Sequence, residues 1–198
     1  MNSKAESDFR ATRMAGCGTD EKGKEDSLLD RLMKTRTIII SEPISSELSK
    51  KILPRLLLLE AEDPKAPVKI LINSPGGAVD DGFAIYDMMR FIECPVITIC
   101  VGLAASAATI ILMGGDKGSR LTLPNTRILL HQPSQGVRGA ASDIEISANE
   151  IVRIRERINK IFEAETGQPM EKLLDDMNRD FWMSAEEAVE YGLLDRIV

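Results

Sequence analysis

The sequence predicts a single α/β domain built on a largely parallel sheet, on three observations. Short β-branched runs recur: Thr37-Ile38-Ile39-Ile40, Val68-Lys69-Ile70-Leu71-Ile72 and Val96-Ile97-Thr98-Ile99-Cys100-Val101. Each is followed, after a turn, by a stretch of helical character, the pattern of strands joined by helical crossovers. The chain has 198 residues, 43% hydrophobic and 28% charged, enough for one such domain to bury a core.

Residues 1 to 26 are polar and charged with almost no large apolar side chains, so they cannot offset the entropy of ordering and are expected to form a mobile arm; the folded domain is expected over 27–198. After the first strand, Ser45 or Ser46 can cap a helix running through Leu56-Leu57-Leu58-Leu59, which Pro54 is expected to kink or interrupt. The second strand ends at Asn73-Ser74-Pro75-Gly76-Gly77, beyond which Ala84, Ile85, Met88, Met89 and Ile92 keep helical spacing. A third strand is expected over 96–101, broken by Gly102 and followed by an Ala-rich buried helix. Strands near 119–123 and 127–130 follow. Residues 132–141 are rich in Gly, Ser, Gln and Pro and lead into a helix from about Asp143 to Glu165, ended by Gly167. On it Ile144, Ile151, Ile154, Ile158 and Ile161 form an apolar stripe, long for a chain of this size and suggestive of an interface. Pro169 can start the next helix, and Ser184 with Glu187 fits a capping box for the last.

Composition excludes several classes. A net charge of −6 argues against a nucleic-acid or basic membrane surface. The uncharged stretch from Val96 to Gly115 has the length of a membrane span, but its β-branched first half and small-residue second half fit a strand feeding a buried helix better. The beginning of the chain lacks the apolar stretch of a secretory signal, and Cys17, Cys94 and Cys100 have no metal-type spacing. A cytoplasmic protein with reduced thiols, without metal or cofactor, is expected.

The chemistry rests on few residues. His131, the single histidine, ends the apolar run Ile128-Leu129-Leu130 ahead of a Gly-containing loop, where a sheet presents side chains to a crevice. Taken alone, a lone histidine is more often a satisfied core residue than a catalyst. Ser106, in Gly102-Leu103-Ala104-Ala105-Ser106-Ala107-Ala108, reads by itself more readily as a small packing residue in a tight helix contact than as a nucleophile at a helix start, the reading that a serine after a strand beside free backbone N–H groups also allows. In the second case the amide of Ala107 could donate to an oxyanion, and the Gly76-Gly77 backbone could supply another donor. Asp180, near Asp175, Asp176 and Asp195, reads by itself as a solvated charge.

Together, Asn73-Ser74-Pro75-Gly76-Gly77, Ala104-Ala105-Ser106, His131-Gln132-Pro133, and Arg179-Asp180 ahead of Met183-Ser184-Ala185-Glu186-Glu187-Ala188 resemble, in order and spacing, the signatures of ClpP, the proteolytic component of Clp proteases. The similarity runs from about Leu28 to Val198. The resemblance implies Ser106 as nucleophile, His131 as general base, Asp180 as its orienting carboxylate, and the amides of Gly77 and Ala107 as oxyanion hole. It implies a ClpP/crotonase-like fold of repeated β-β-α units with a protruding strand-helix handle at about 132–166. Two stacked heptameric rings of this chain, or of this chain with a paralogue, would enclose the active sites. A hexameric Clp ATPase would unfold and feed protein substrates, using ATP that this chain does not bind. Arg179 becomes a ring-contact candidate, and Leu71, Phe91, Ile99, Val101 and Leu121 become candidates for the ATPase-docking pocket.

The chain departs from the family pattern at Ala107-Ala108, where methionine and glycine are usual, at Leu103, at Lys69, where an aromatic is usual, and at Asn178, where an acidic residue is usual. Two alternatives stay open beside an active endopeptidase. One is a structural or partner-dependent ring subunit; the other is an acyl-CoA enzyme of the crotonase fold.

Overall fold

The computed structural model describes residues 28–198. The expected arm at 1–26, with Cys17, lies outside the described residues. Helix α1 (Leu28–Lys34) leads into β1 (Thr37–Ile40), and the chain then alternates through α2 (Ser46–Glu62), β2 (Val68–Ser74), α3 (Val79–Phe91), β3 (Val96–Ala105) and α4 (Ala107–Met113). Strands β4 (Arg120–Thr122) and β5 (Arg127–Leu130) precede the long α5 (Ala141–Thr166). The chain closes with α6 (Met170–Asp176), β6 (Phe181–Ser184), α7 (Ala185–Glu190) and β7 (Arg196–Ile197).

Among the described residues the strands form one seven-stranded sheet, in which β1-β2-β3-β4-β7 run in that spatial order and pair in parallel. Strand β3 serves two neighbours. Its first half, Thr98–Cys100, pairs with β4, and its second half, Leu103–Ala105, pairs in parallel with β5. Strand β6 adds antiparallel to β5. The third strand is therefore longer than the β-branched run alone predicts. Leu103-Ala104-Ala105 favours helix by propensity, but pairing with β5 overrides that preference. Gly102, at φ 85, makes the bend that lets one strand change partners, and the Asn73 side chain accepts from the Leu103 amide at 3.2 Å across it.

The helices bury the other side of this frame. On β2, Val68, Ile70 and Ile72 are fully buried and alternate with the more exposed Lys69, Leu71 and Asn73, the period-2 pattern of a strand. They meet Leu48, Ile52, Leu56 and Leu59 of α2, Phe83, Ile85 and Met89 of α3, and all of α4 in one core. Each fully buried Ile or Leu there contributes roughly 1.5–3 kcal/mol. Ser45 caps α2, its side chain accepting from the Leu48 amide at 3.3 Å. Pro54 does not end that helix, which runs on unbroken to Glu62; the proline lies on its exposed side, where water can satisfy the carbonyl left without a donor.

The distal third is fastened at a few points. Gly167 ends α5 in the left-handed conformation at φ 77, Pro169 stands at the cap of α6, and Ser184 and Glu187 form the capping box of α7. Arg120, 2% exposed, pairs with Glu165 in the last turn of α5 and donates to the Gly115 carbonyl at 2.8 Å. Among the described residues, 131–140 make no strand pairing, so the helix is the regular part of the handle here.

Candidate active site

Ser106 stands between the end of β3 and the start of α4 with φ 54 and ψ −124. Among the described residues only it and Arg36 hold a positive φ without being glycine. Such a conformation costs on the order of 1–3 kcal/mol and persists only where its surroundings over-determine it. Here the Ser106 amide donates to the Leu129 carbonyl at 2.9 Å, and its carbonyl accepts from the Thr109 amide at 2.9 Å and the Thr109 hydroxyl at 2.5 Å. The strand and helix on either side hold the turn, and the side chain stays half-buried between them.

The register brings the other two candidates to the same end of the sheet. Ala105 pairs with Leu129 on β5, and β5 ends one residue later, just before His131. Strand β6 runs antiparallel to β5 with Leu130 opposite Phe181, so Asp180 stands across from His131 at the next position. Ser106 and His131 line one cleft together with Val79, Ala107, Thr109 and Pro133. His131 and Asp180 line an adjoining one with Gln132, Ser134, Asn178 and Arg179. His131 thus lies at the junction of the two. No side-chain hydrogen bond joins Ser106 to His131 or His131 to Asp180 in this arrangement.

The glycine turn lies against the serine. A Cβ on Gly76 would come within 2.5 Å of the Ala105 carbonyl oxygen and 2.7 Å of the Ser106 Cβ, so only glycine fits at φ 89. Gly77, at φ 151, is bridged to Ile44: the Ile44 amide donates to the Gly76 carbonyl at 2.9 Å, and the Ala78 amide donates to the Ile44 carbonyl at 2.9 Å. Ala107 begins α4, so its amide has no carbonyl one turn back within the helix.

Gln132 stands in the His131-Gln132-Pro133 motif, which gave it no role of its own. Gln132 donates from its amide to the Met177 carbonyl at 2.6 Å and from Nε2 to the Asn178 carbonyl at 2.8 Å, clamping the segment before Asp180 to the segment after His131. A glutamine next to a histidine carries no signal of its own. The Asn178 side chain faces the same Gln132 at 3.3 Å, whereas Arg179 is exposed.

The docking candidates form an incomplete set within one chain. Leu71, Ile99 and Leu121 are in register across β2, β3 and β4, and Ile39 on β1 extends the row. Phe91 is 74% exposed and Leu71 and Val101 are half-buried, but Ile99 and Leu121 are covered. Among the described residues no group of three or more His, Cys, Asp or Glu could hold a metal ion, and no helix is long and apolar enough to cross a membrane.

A family model described as Clp protease matches residues 20–198. The chain belongs to the Clp protease family. The ATP-dependent Clp protease proteolytic subunit of Deinococcus radiodurans is 46% identical to it over 171 residues, covering 86% of this chain and 84% of that one. Among solved structures, a mutant of ClpP1 from Listeria monocytogenes superposes with a TM-score of 0.80 at 42% identity, covering 86% of this chain and 95% of that chain. The ClpP/crotonase-like fold expected from the sequence motifs is thus the fold observed, and peptide-bond hydrolysis is the activity class of the family.

Proposed function

We propose that this chain is the serine endopeptidase subunit of a compartmental, ATPase-fed Clp protease, with Ser106 as nucleophile, His131 as general base and Asp180 as the carboxylate that orients it. The observation carrying the reading is the sheet register, in which the end of β3, the end of β5 and the start of β6 converge. His131 takes the Ser106 proton as Oγ attacks the peptide carbonyl, and Asp180 favours the imidazolium that results. The developing oxyanion accepts from the amides of Gly77 and Ala107. His131 then protonates the leaving amine as the acyl-enzyme forms. Water, activated by the same imidazole, attacks the ester and frees Ser106.

The wider assembly belongs to the same proposal. Two heptameric rings, of this chain alone or mixed with a paralogue, enclose the sites in the cytoplasm, and a hexameric ATPase docks on the accessible docking candidates Leu71, Phe91 and Val101 and feeds unfolded protein.

One observation favours a second reading, a ring subunit active only beside a partner: the three side chains share clefts without hydrogen-bonding one another. Catalytic hydrogen bonds are often long in a free enzyme and tighten around substrate. A fluorophosphonate probe on the assembled chain separates the readings. Attachment at Ser106 supports autonomous activity; labelling only after a paralogue is added supports the second; CoA-thioester turnover without labelling would point to the acyl-CoA chemistry of the crotonase fold instead.

A further inference from the structure

We propose that Ser74 is a positioning residue for the oxyanion hole, fixing through its buried hydroxyl the turn that presents the Gly77 amide; this rests on the active-site reading above. Ser74 is fully buried at the end of β2, where the register slips before Ser74 pairs with Ala104. Its hydroxyl donates to the Glu42 carbonyl at 2.8 Å and accepts from the Gly76 amide at 3.2 Å. One oxygen therefore ties the strap at 42–44 to the glycine turn.

The strap also grips that turn from the far side. The Ile44 amide donates to the Gly76 carbonyl at 2.9 Å, and Ile44 bridges Gly77 in parallel. In a planar trans peptide the carbonyl oxygen and the following N–H point in opposite directions, and no described peptide bond is cis. With the Gly76 carbonyl committed to Ile44, the Gly77 N–H must face away from the strap. Gly76 itself packs against Ala105, Ser106 and Ala107 on that other side. The Ile44 amide thus orients the Gly76–Gly77 peptide directly, while the Gly76 amide on the Ser74 hydroxyl and the Ala78 amide on the Ile44 carbonyl hold the peptides on either side of it, and the Ser74 hydroxyl anchors the turn to the Glu42 carbonyl. Glycines at φ 89 and 151 have no side chains to hold them there. Preorganised donors are effective because they need no reorganisation as charge develops. A turn freed from Ser74 would lose that advantage without losing substrate contacts.

The test compares wild type, Ser74→Ala and Ser106→Ala in the assembled fraction isolated by size. It measures kcat and KM on a fluorogenic peptide, and the affinities for a peptide boronate, whose tetrahedral adduct puts an oxygen in the hole, and for a product-like peptide acid. Ser74→Ala is expected to lower kcat about tenfold or more, leave KM within about twofold, and weaken the boronate by a factor matching kcat while product affinity holds. Should Ser74→Ala not assemble, Ser74→Cys, which keeps a weak donor and acceptor at similar volume, carries the comparison with a smaller loss in the same pattern. A kcat within twofold of wild type, or equal losses for boronate and product peptide, overturns the proposal. Boronate binding that survives Ser106→Ala would instead overturn the active-site reading beneath it.

Discussion

Ser106 occupies a backbone conformation that side chains disfavour, and Leu129, twenty-three residues on in the chain, together with Thr109 in the following helix holds it there. The strain separates two substitutions that both remove the hydroxyl. Ser106→Ala keeps the Cβ and the strain, while Ser106→Gly relieves it. Both should lose peptide hydrolysis by orders of magnitude, with a further loss of His131 adding little, as in groups acting as a unit. Ser106→Gly should nevertheless unfold at higher denaturant than Ser106→Ala, by about 1 kcal/mol; equal midpoints would show that the turn stores no strain. Beside it, Ala107 is small where the family resemblance leads one to expect a larger residue, and if, in the proposed mechanism, its position lines the pocket for the side chain preceding the scissile bond, it leaves more room there. Each additional buried methylene is worth about 0.8 kcal/mol, so large apolar residues there should be preferred about tenfold or more, and Ala107→Met should shift preference toward smaller ones. A peptide library varied at that one position checks this, and identical profiles would refute it. Cys100 behaves differently. Burial pushes its thiol from about 9 up to about 12, although Thr126 and Thr122 hydrogen-bond to it and oppose the shift. The unfolded chain therefore releases this proton above pH 9 while the folded one retains it, so stability is full below that pH and falls toward pH 12. The contribution approaches 1.4 kcal/mol per pH unit. Cys100→Ala should flatten the slope of urea stability between about pH 9 and 11; an unchanged slope would assign the alkaline loss to other groups.

At the level of elements, the body grips α5 by one end. Ile158 and Phe162 are buried and Arg120 pairs with Glu165 near its C-terminus, while most of the helix before Ile158 is exposed or half-exposed. Arg120 also joins β4 to the chain end, its backbone amide donating to the Asp195 carboxylate at 2.8 Å and its carbonyl accepting from the Asp195 amide at 2.8 Å. Removing one partner of a buried pair leaves a charge with nothing to face. Arg120→Ala should therefore cost about 3–5 kcal/mol, and the Arg120→Ala, Glu165→Ala double variant less than the sum of the singles. Urea denaturation of the three variants measures this, and additive losses would show that the two charges do not depend on each other.

Taken whole, the molecule leaves surface that one chain cannot cover. Ile146 is 68% exposed, Val152 53% and Ile144 43%, on a helix that reaches beyond the folded body. Within the proposed double ring that end of the helix is covered by another copy, across the interface where residues 131–140 also lack a strand partner among the described residues of their own chain. Ile146→Asp should then shift native mass spectra toward single rings or smaller species while leaving the fold of each chain intact by circular dichroism. Full assembly of that variant would place the contact elsewhere.

The sequence by itself determined most of the elements and the family to which the chain belongs. Strand-forming runs, the Ser184-Glu187 box, the Gly167 stop and the four spaced motifs depend on residues close together along the chain, where propensity and patterning are local. Only the tertiary structure decided that β3 continues through Leu103-Ala104-Ala105, that Pro54 does not break α2, and that Gln132 clamps Asn178. The same holds for the positive φ of Ser106 and for the bridge between Ile44 and Gly77. Each of these depends on pairing between segments far apart in sequence, or on which face of an element meets solvent. Such pairing is set by the register of the assembled sheet, and local propensity yields to it.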